Sequence, residues 1–282
     1  MLKTKNIAVI GYGVMGEAIL SGLIKKGGIH PQNITASGPR EDRRQELADR
    51  YGVLVVKENI LAVTGSEVII LAVKPQKIQS VIKGLKGKIP ANAVIISIVA
   101  GVSLELLIKM LGHDAIVRAM PNTPARIGEG ITVWTGSQQV RPDQVELARQ
   151  SLQCLGSELF VEEESYLDMA TALSGTGPAY VFLFMEALID AGVHMGFPRR
   201  IAEELVVQTL LGSVEYYKSM REHPAAMRNQ VTSPGGTSAE ALYYLEKAGF
   251  RTAISRAVWA AYQRSLELGA GQNRMIKENE TS

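Results

Sequence analysis

Apolar residues come in short unbroken runs through the first half of the chain and at helical spacing through the second. The first run, Ile7-Ala8-Val9-Ile10, contains no polar residue, as a strand buried on both faces requires. Further strand-like runs lie at 33–37, 53–56, 68–73, 94–98, 115–119, 131–135 and 158–161. Between them are segments with apolar residues every three or four positions, such as Ala18, Ile19, Leu23 and Ile24, and a helix expected over 143–155. Alternating strands and helices predict a doubly wound, mostly parallel α/β sheet. The alternation stops after Glu162-Glu163-Glu164, and the pattern is helical from there on. Two domains are therefore expected, an α/β domain over 1–164 and an all-α domain over 165–282. In the second, helices are expected from 172 to about 195, over 199–218, from near 224, over 238–248 and over 252–268, with a polar, frayed tail from Gly271. The stretch 180–189 is apolar nearly all round and needs cover on every side. A small helical domain does not supply that alone, so a partner chain is expected. Glu186 interrupts the same stretch, which is expected to fall short of a membrane span.

The ends of the first strands carry the first candidate chemistry. Gly11-Tyr12-Gly13-Val14-Met15-Gly16 stands between the first strand and the first helix. In that context the spacing is a dinucleotide fingerprint: Gly11 for the tight turn, Gly13 for approach of a pyrophosphate, Gly16 for close helix–strand packing. The first domain is therefore expected to be Rossmann-like. At the end of the second strand, a carboxylate would hold a ribose 2′-hydroxyl. Here the chain reads Ser37-Gly38-Pro39-Arg40, with Arg43 soon after. Loss of the acid and gain of a guanidinium suit a 2′-phosphate, so NADPH is expected to be preferred and NADH to serve more weakly. Arg40 is the favoured contact; Arg44 and Arg50 read as a solvated helix face. Ala72-Val73-Lys74-Pro75, Val99-Ala100-Gly101 and Met120-Pro121-Asn122-Thr123-Pro124 close three further strands, at the edge where such sheets bind ligands.

Composition narrows the classes. The 282 residues carry a net charge of only +2 and are 46% hydrophobic, which supports a sizeable core and argues against nucleic acid as a partner. Cys154 is the only cysteine, so no disulfide forms within the chain and no cysteine-based metal site exists. The four histidines show no ligand spacing, and no metal is expected. The absence of a signal-like apolar leader points to a soluble, cytoplasmic protein with no membrane contact.

Gln230-Val231-Thr232-Ser233-Pro234-Gly235-Gly236-Thr237-Ser238 precedes a helical pattern marked by Ala239, Leu242 and Leu245. Ser233, Thr237 or Ser238 can cap that helix, with Pro234 in the turn before it. The same equipment, two glycines and three hydroxyls ahead of unpaired helix amides, also offers an anion site. Both readings stand on the sequence alone.

The chain resembles the pyrroline-5-carboxylate reductase family over its whole length. The likeness is carried by the glycine fingerprint, Ala72-Val73-Lys74-Pro75, Met120-Pro121-Asn122-Thr123-Pro124, Leu173-Ser174-Gly175-Thr176-Gly177-Pro178-Ala179-Tyr180, and the Gln230 loop. Members reduce Δ1-pyrroline-5-carboxylate to L-proline with NAD(P)H, the last step of proline biosynthesis, and form homodimers that often assemble into decamers. The resemblance implies that Ile10, Gly11, Gly13, Val14, Met15, Ser37, Arg40 and Asn59 serve the pyrophosphate and adenosine half of the coenzyme. It implies that Ala72, Val73, Lys74, Pro75, Val99, Ala100, Met120, Pro121 and Asn122 serve the remainder. It further implies that Glu164, Gln230, Ser233, Gly235, Gly236, Thr237 and Ser238 hold substrate, Ser238 acting on the ring nitrogen as the catalytic hydroxyl. Without the resemblance, Glu164 reads as an acidic surface residue. Two positions depart from the family pattern: serine stands at 238 where threonine is usual, and glutamine at 230 where some members have asparagine. A hydroxyacid dehydrogenase is the nearest enzyme rival, but the first long helix of the second domain lacks the lysine that chemistry uses. A non-catalytic NADPH sensor would leave the Gln230 loop unexplained.

Overall fold

The computed structural model describes residues 1–280. Eight strands form one sheet in the order β3-β2-β1-β4-β5-β6-β7-β8. They are β1 (Ile7–Ile10), β2 (Ile34–Ser37), β3 (Leu54–Val56), β4 (Val68–Leu71), β5 (Val94–Ser97), β6 (Ile116–Met120), β7 (Gly130–Gly136) and β8 (Gly156–Phe160). All neighbours are parallel except β6 and β7. The helices between them are α1 (Val14–Lys25), α2 (Glu41–Tyr51), α3 (Asn59–Val63), α4 (Ile78–Leu85), α5 (Leu104–Leu111) and α6 (Pro142–Gln153).

The apolar runs have no polar face because both sheet faces are covered. Ile7 and Val9 join one core with Leu20, Leu47 and Leu152 from α1, α2 and α6. Ala8 and Ile10, pointing the other way, join a second core with Ala62, Ile82 and Leu107 from α3, α4 and α5. The chain leaves β1 toward β2 on one side and returns to β4 on the other. That reversal leaves a crevice at the strands' C-terminal ends.

Four more helices follow the sheet: α7 (Tyr166–Ala170), α8 (Gly177–His194), α9 (Arg199–Met220) and α10 (Pro224–Gln230). Then come α11 (Thr237–Lys247) and α12 (Phe250–Glu280). A π-helical turn, Thr171–Gly175, joins α7 to α8. The chain divides into two compact units, 1–176 with the residues from 261 on, and 177–260. The last strand ends at Phe160, and α7 and the π turn stay with the sheet because Leu167 and Ala170 pack on Val133. The tail expected to fray from Gly271 continues α12 to Glu280. Beyond Gly271 it contains neither proline nor a further glycine, so nothing local stops the helix. Thr281 and Ser282 lie outside the described residues.

The second unit is helical throughout, and among its described residues Ala202 is the one hydrophobic side chain that is buried. It sits where α8 and α9 pack closely, 3.0 Å from the position a Cβ would take on Gly192. Phe182, Leu183, Leu211 and Val214 are each more than half exposed. The stretch expected to fall short of a membrane span is part of a longer helical run. Tyr166–His194, 29 residues, is long and apolar enough to cross a membrane by length and composition, because the π turn joins α7 to α8 without a break. Only 6% of its most apolar window is buried.

Candidate functional site

A groove of about 950 Å³ opens at the switch point, lined by Gly11, Gly13 and Val14 after β1 and by Ala72, Val73 and Lys74 after β4. Gly11 has a φ of +92°, and a Cβ there would lie 2.8 Å from the Ala72 carbonyl oxygen. A Cβ on Gly16 would lie 2.1 Å from the Gly11 oxygen, so only glycine lets α1 start this close to β1. A Cβ on Gly13, by contrast, would meet nothing within 4 Å. Gly13 is the N-cap of α1 and no side chain caps that end. The first-turn amides of α1 therefore face open space, the arrangement a pyrophosphate needs. The glycines fit a dinucleotide on this ground.

Ser37, Arg40 and Asn59 line the same groove. The Ser37 hydroxyl donates to Asn59 Oδ1 at 2.8 Å, tying the end of β2 to the start of α3. Tyr12, which the sequence reading passed over, clamps the β2–α2 connection. Its hydroxyl donates to the Arg40 carbonyl at 3.0 Å, and its ring lies where a Cβ on Gly38 would come within 2.4 Å. Burial pushes its phenol above the ordinary range. Arg44 donates to the Gly38 and Pro39 carbonyls and pairs with Glu41, so it braces the loop rather than lying idle on the helix face. Arg50 is not merely solvated either, since it bonds Glu17 at 2.7 Å. Arg40 is 65% exposed and pairs with Asp42.

Glu17 joins α1 to α2 by accepting from Arg43 at 2.6 Å, Arg50 at 2.7 Å and the Tyr51 hydroxyl at 3.2 Å. Burial acts to raise its carboxyl, but these donors outweigh it and hold the pKa below the usual 4.5. A depressed carboxylate contributes stability above its unfolded pKa and loses it as pH falls through the folded one. Glu17→Gln is therefore expected to lower the thermal midpoint at neutral pH, with the gap from wild type closing as pH drops below about 4. A gap that stays constant from neutral pH into acid would show that the charge on Glu17 does not act this way.

The other expected coenzyme residues are placed differently. Ile10 is fully buried in β1, and its carbonyl accepts from Ala72 N at 2.8 Å. Met15 packs against the core and Val99 is buried. Pro75 and Ala100 line a separate cavity of about 370 Å³ with Thr171 and Thr176. Met120 and Pro121 do not line the groove. Asn122 spends its carboxamide on structure: Nδ2 donates to the Ser174 carbonyl at 3.2 Å and Oδ1 accepts from Ile131 N at 2.9 Å. It holds the start of β7 to the π turn.

Glu164 is not the solvated acid its sequence context suggests. Its Oε1 accepts from Leu104 N at 2.9 Å and from Arg118 Nη1 at 2.7 Å. Arg118 lies on β6 with its side chain 8% exposed, and Asp168 stands 3.7 Å from its other nitrogen. Ser265 of α12 donates to Asp168 at 2.9 Å. This network joins β6, α5, α7 and α12. Its one sequence signal is the arginine that interrupts an apolar run.

In the helical unit, the hydroxyl-rich stretch folds as a turn and a helix start. Gly236 N donates to the Ser233 carbonyl at 3.1 Å, Pro234 is second in the turn, and Gly235 has a φ of +73°. That is a type II turn, whose third position demands glycine. A Cβ on Gly236 would meet Ser233 Oγ at 2.5 Å. The expectation that Ser233, Thr237 or Ser238 caps α11 is not met. Gly236 is the N-cap, with no side-chain cap bond, because Thr237 and Ser238 already belong to the first turn. Ser233 and Thr237 are exposed and Ser238 is half-buried. Gln230, last in α10, donates instead to Glu222 at 2.7 Å.

Among the described residues no group of three or more histidine, cysteine or acidic side chains could hold a metal ion. Cys154 is buried away from the groove, which pushes its thiol up to about 11.

Comparison with known proteins supplies the remaining constraint. Residues 164–268 match the pyrroline-5-carboxylate reductase dimerisation family, and residues 6–101 match the coenzyme F420-dependent NADP oxidoreductase family. A pyrroline-5-carboxylate reductase from Synechocystis is 47% identical over 265 residues, covering 94% of this chain and 98% of that protein. The crystal structure of a Plasmodium falciparum pyrroline carboxylate reductase with NADP bound superposes with a TM-score of 0.87 at 32% identity, over 95% of this chain and 100% of that one. A pyrroline-5-carboxylate reductase structure from Coxiella burnetii gives 0.87 at 36% identity, over 94% and 98%. With both halves of the chain matched and nearly its full length aligned at this identity, the chain belongs to the pyrroline-5-carboxylate reductase family.

Proposed function

We propose that this protein reduces Δ1-pyrroline-5-carboxylate to L-proline, the last step of proline biosynthesis, with NADPH as the preferred coenzyme and NADH a weaker one. The observation that carries the reading is family membership over nearly the whole chain, with the glycine cradle and the hydroxyl-rich turn both intact. When bound, the reduced nicotinamide supplies the hydride. The open amides at Gly13 to Met15 hold the pyrophosphate, and Ser37, Arg40 and Asn59 take the adenosine end. Ala72, Val73 and Lys74, with Pro75 and Ala100, border the nicotinamide half. The uncapped first turn of α11 and the hydroxyls of Ser233 and Thr237 hold the substrate carboxylate. Ser238 orients the ring and meets its nitrogen. No strong acid is required, because the imine can enter as its protonated iminium. Glu164 contributes by holding the start of α5, which follows the Val99–Gly101 turn.

The test is oxidation of NADPH on addition of pyrroline-5-carboxylate, with the product identified as L-proline. NADPH that stays reduced under those conditions would sink the reading and favour a coenzyme sensor.

The assembly proposed is a homodimer through the helical unit, with a pentamer of dimers as the larger form. A unit whose one buried hydrophobic side chain is Ala202 has no core of its own, so its apolar helix faces require burial against another copy. Sedimentation equilibrium at micromolar protein is expected to show no folded species near 30.6 kDa. The same burial covers the Tyr166–His194 stretch, so the protein is expected in the cytoplasmic fraction without detergent. A stable, active monomer, or a requirement for detergent, would contradict this.

A further inference from the structure

We propose that Lys57 is the second cation reading the coenzyme's 2′-phosphate, beside Arg40, and that Asp42 limits how far Arg40 takes part. This rests on the NADPH reading of the groove. Arg43, the neighbour that proximity in sequence recommends, is already spent. Its guanidinium is held by Glu17 at 2.6 Å and by Glu46, with the side chain only 22% exposed. Arg44 is committed to the loop carbonyls and to Glu41. Arg40 remains exposed, but it carries Asp42.

Lys57 comes from the adjacent strand. Ser37 pairs with Val56 in the sheet, and Gly38 N donates to the Val56 carbonyl at 3.2 Å. Lys57 thus leaves β3 alongside the Gly38–Pro39–Arg40 connection and lines the groove with it. Among the described residues it has no hydrogen-bond or ion-pair partner. Local charge favours it. Arg43 and Arg50 neutralise Glu17 and Glu46. Beside the Gly38–Arg40 connection, Arg40 is offset by Asp42, so Lys57 is the cation there that carries no ion pair; Lys74 and Lys77 line the groove from the end of β4. A phosphate approaching dianion charge is attracted to Lys57 directly, and to Arg40 once it displaces Asp42. That exchange is easy, because an exposed ion pair such as Arg40–Asp42 is weak and a charge-assisted phosphate contact is stronger.

The test is calorimetric titration of the full-length protein with adenosine 2′,5′-bisphosphate and with adenosine 5′-monophosphate, neither of which turns over. Lys57→Met is expected to weaken the bisphosphate about three- to tenfold and leave the monophosphate unchanged. Lys57→Arg should retain most of the preference, and Asp42→Asn should strengthen bisphosphate binding. A preference undiminished in Lys57→Met overturns the proposal alone, as does an equal loss for both ligands. A wild-type protein that does not distinguish the two ligands overturns the NADPH reading and this proposal with it.

Discussion

Arg40→Ala is expected to lower kcat/KM for NADPH about tenfold or more while leaving that for NADH within about twofold. The asymmetry follows from what the side chain faces. The groove has Ser37 and Gly38 at the end of β2, where a carboxylate would favour a 2′-hydroxyl. Arg40 is the one guanidinium there that a light, solvent-exposed contact holds; Arg43 and Arg44 are locked by Glu17, Glu46, Glu41 and two loop carbonyls. Its backbone is fixed too, by the Tyr12 hydroxyl on its carbonyl, so the alanine variant keeps the loop and loses only the charge. The measurement is the ratio of kcat/KM values for the two coenzymes at one ionic strength, since a phosphate contact weakens with salt. An NADPH advantage that survives unchanged in Arg40→Ala would show that the phosphate sits elsewhere. Parallel losses with both coenzymes would mark Arg40 as part of the general groove.

Position along the chain was legible where local pattern decides the outcome. The first strand was placed at Ile7–Ile10 because a continuous apolar run next to a glycine turn leaves few alternatives. The groove residues Gly11, Gly13, Ser37 and Arg40 were legible for the same reason, since each stands at the end of such a run. Direction was not. An apolar run carries no sign, and β7 enters antiparallel after a 3-10 turn at Thr123–Ile127, with Asn122 bonded to Ile131. Side chains whose partners are distant in sequence were misread or missed. Glu164 looked solvated because Arg118 lies 46 positions away, and Lys57 carries no local signal because its place beside Gly38 is fixed by the Ser37–Val56 pairing. Asn122 looked available for ligand, but its carboxamide is shared between Ser174 and Ile131. The helix cap failed for a subtler reason. Three hydroxyls were eligible, and the type II turn at Pro234-Gly235 gave the position to Gly236 instead.

That displaced cap sharpens the expectation for Ser238→Ala. A capping serine would cost about 0.5–2 kcal/mol of stability when replaced by alanine. Ser238 is not the cap, makes no cap bond and lies in the first turn of α11, where alanine is a good helix former. The thermal midpoint is therefore expected to stay within a degree or two. The hydroxyl is instead available to a ligand held by the open amides of the same turn, and half-burial restricts the water that would compete for it. If it meets the ring nitrogen as hydride reaches the adjacent carbon, it acts where charge on that nitrogen changes. Removing one such preorganised group should lower kcat/KM for the imine about tenfold or more, an increment of about 1.4 kcal/mol in the barrier. NADPH affinity should be unchanged. Ser238→Thr, which keeps the hydroxyl and restores the residue usual in the family, should turn over close to wild type. The pair of variants separates the oxygen from the methyl. Normal turnover in Ser238→Ala would move the role to another hydroxyl of the turn, and Thr237→Val is the variant that would then lose activity. Loss in both Ser238→Ala and Ser238→Thr would mean that the shape of the first turn, rather than its hydroxyl, is what the substrate reads.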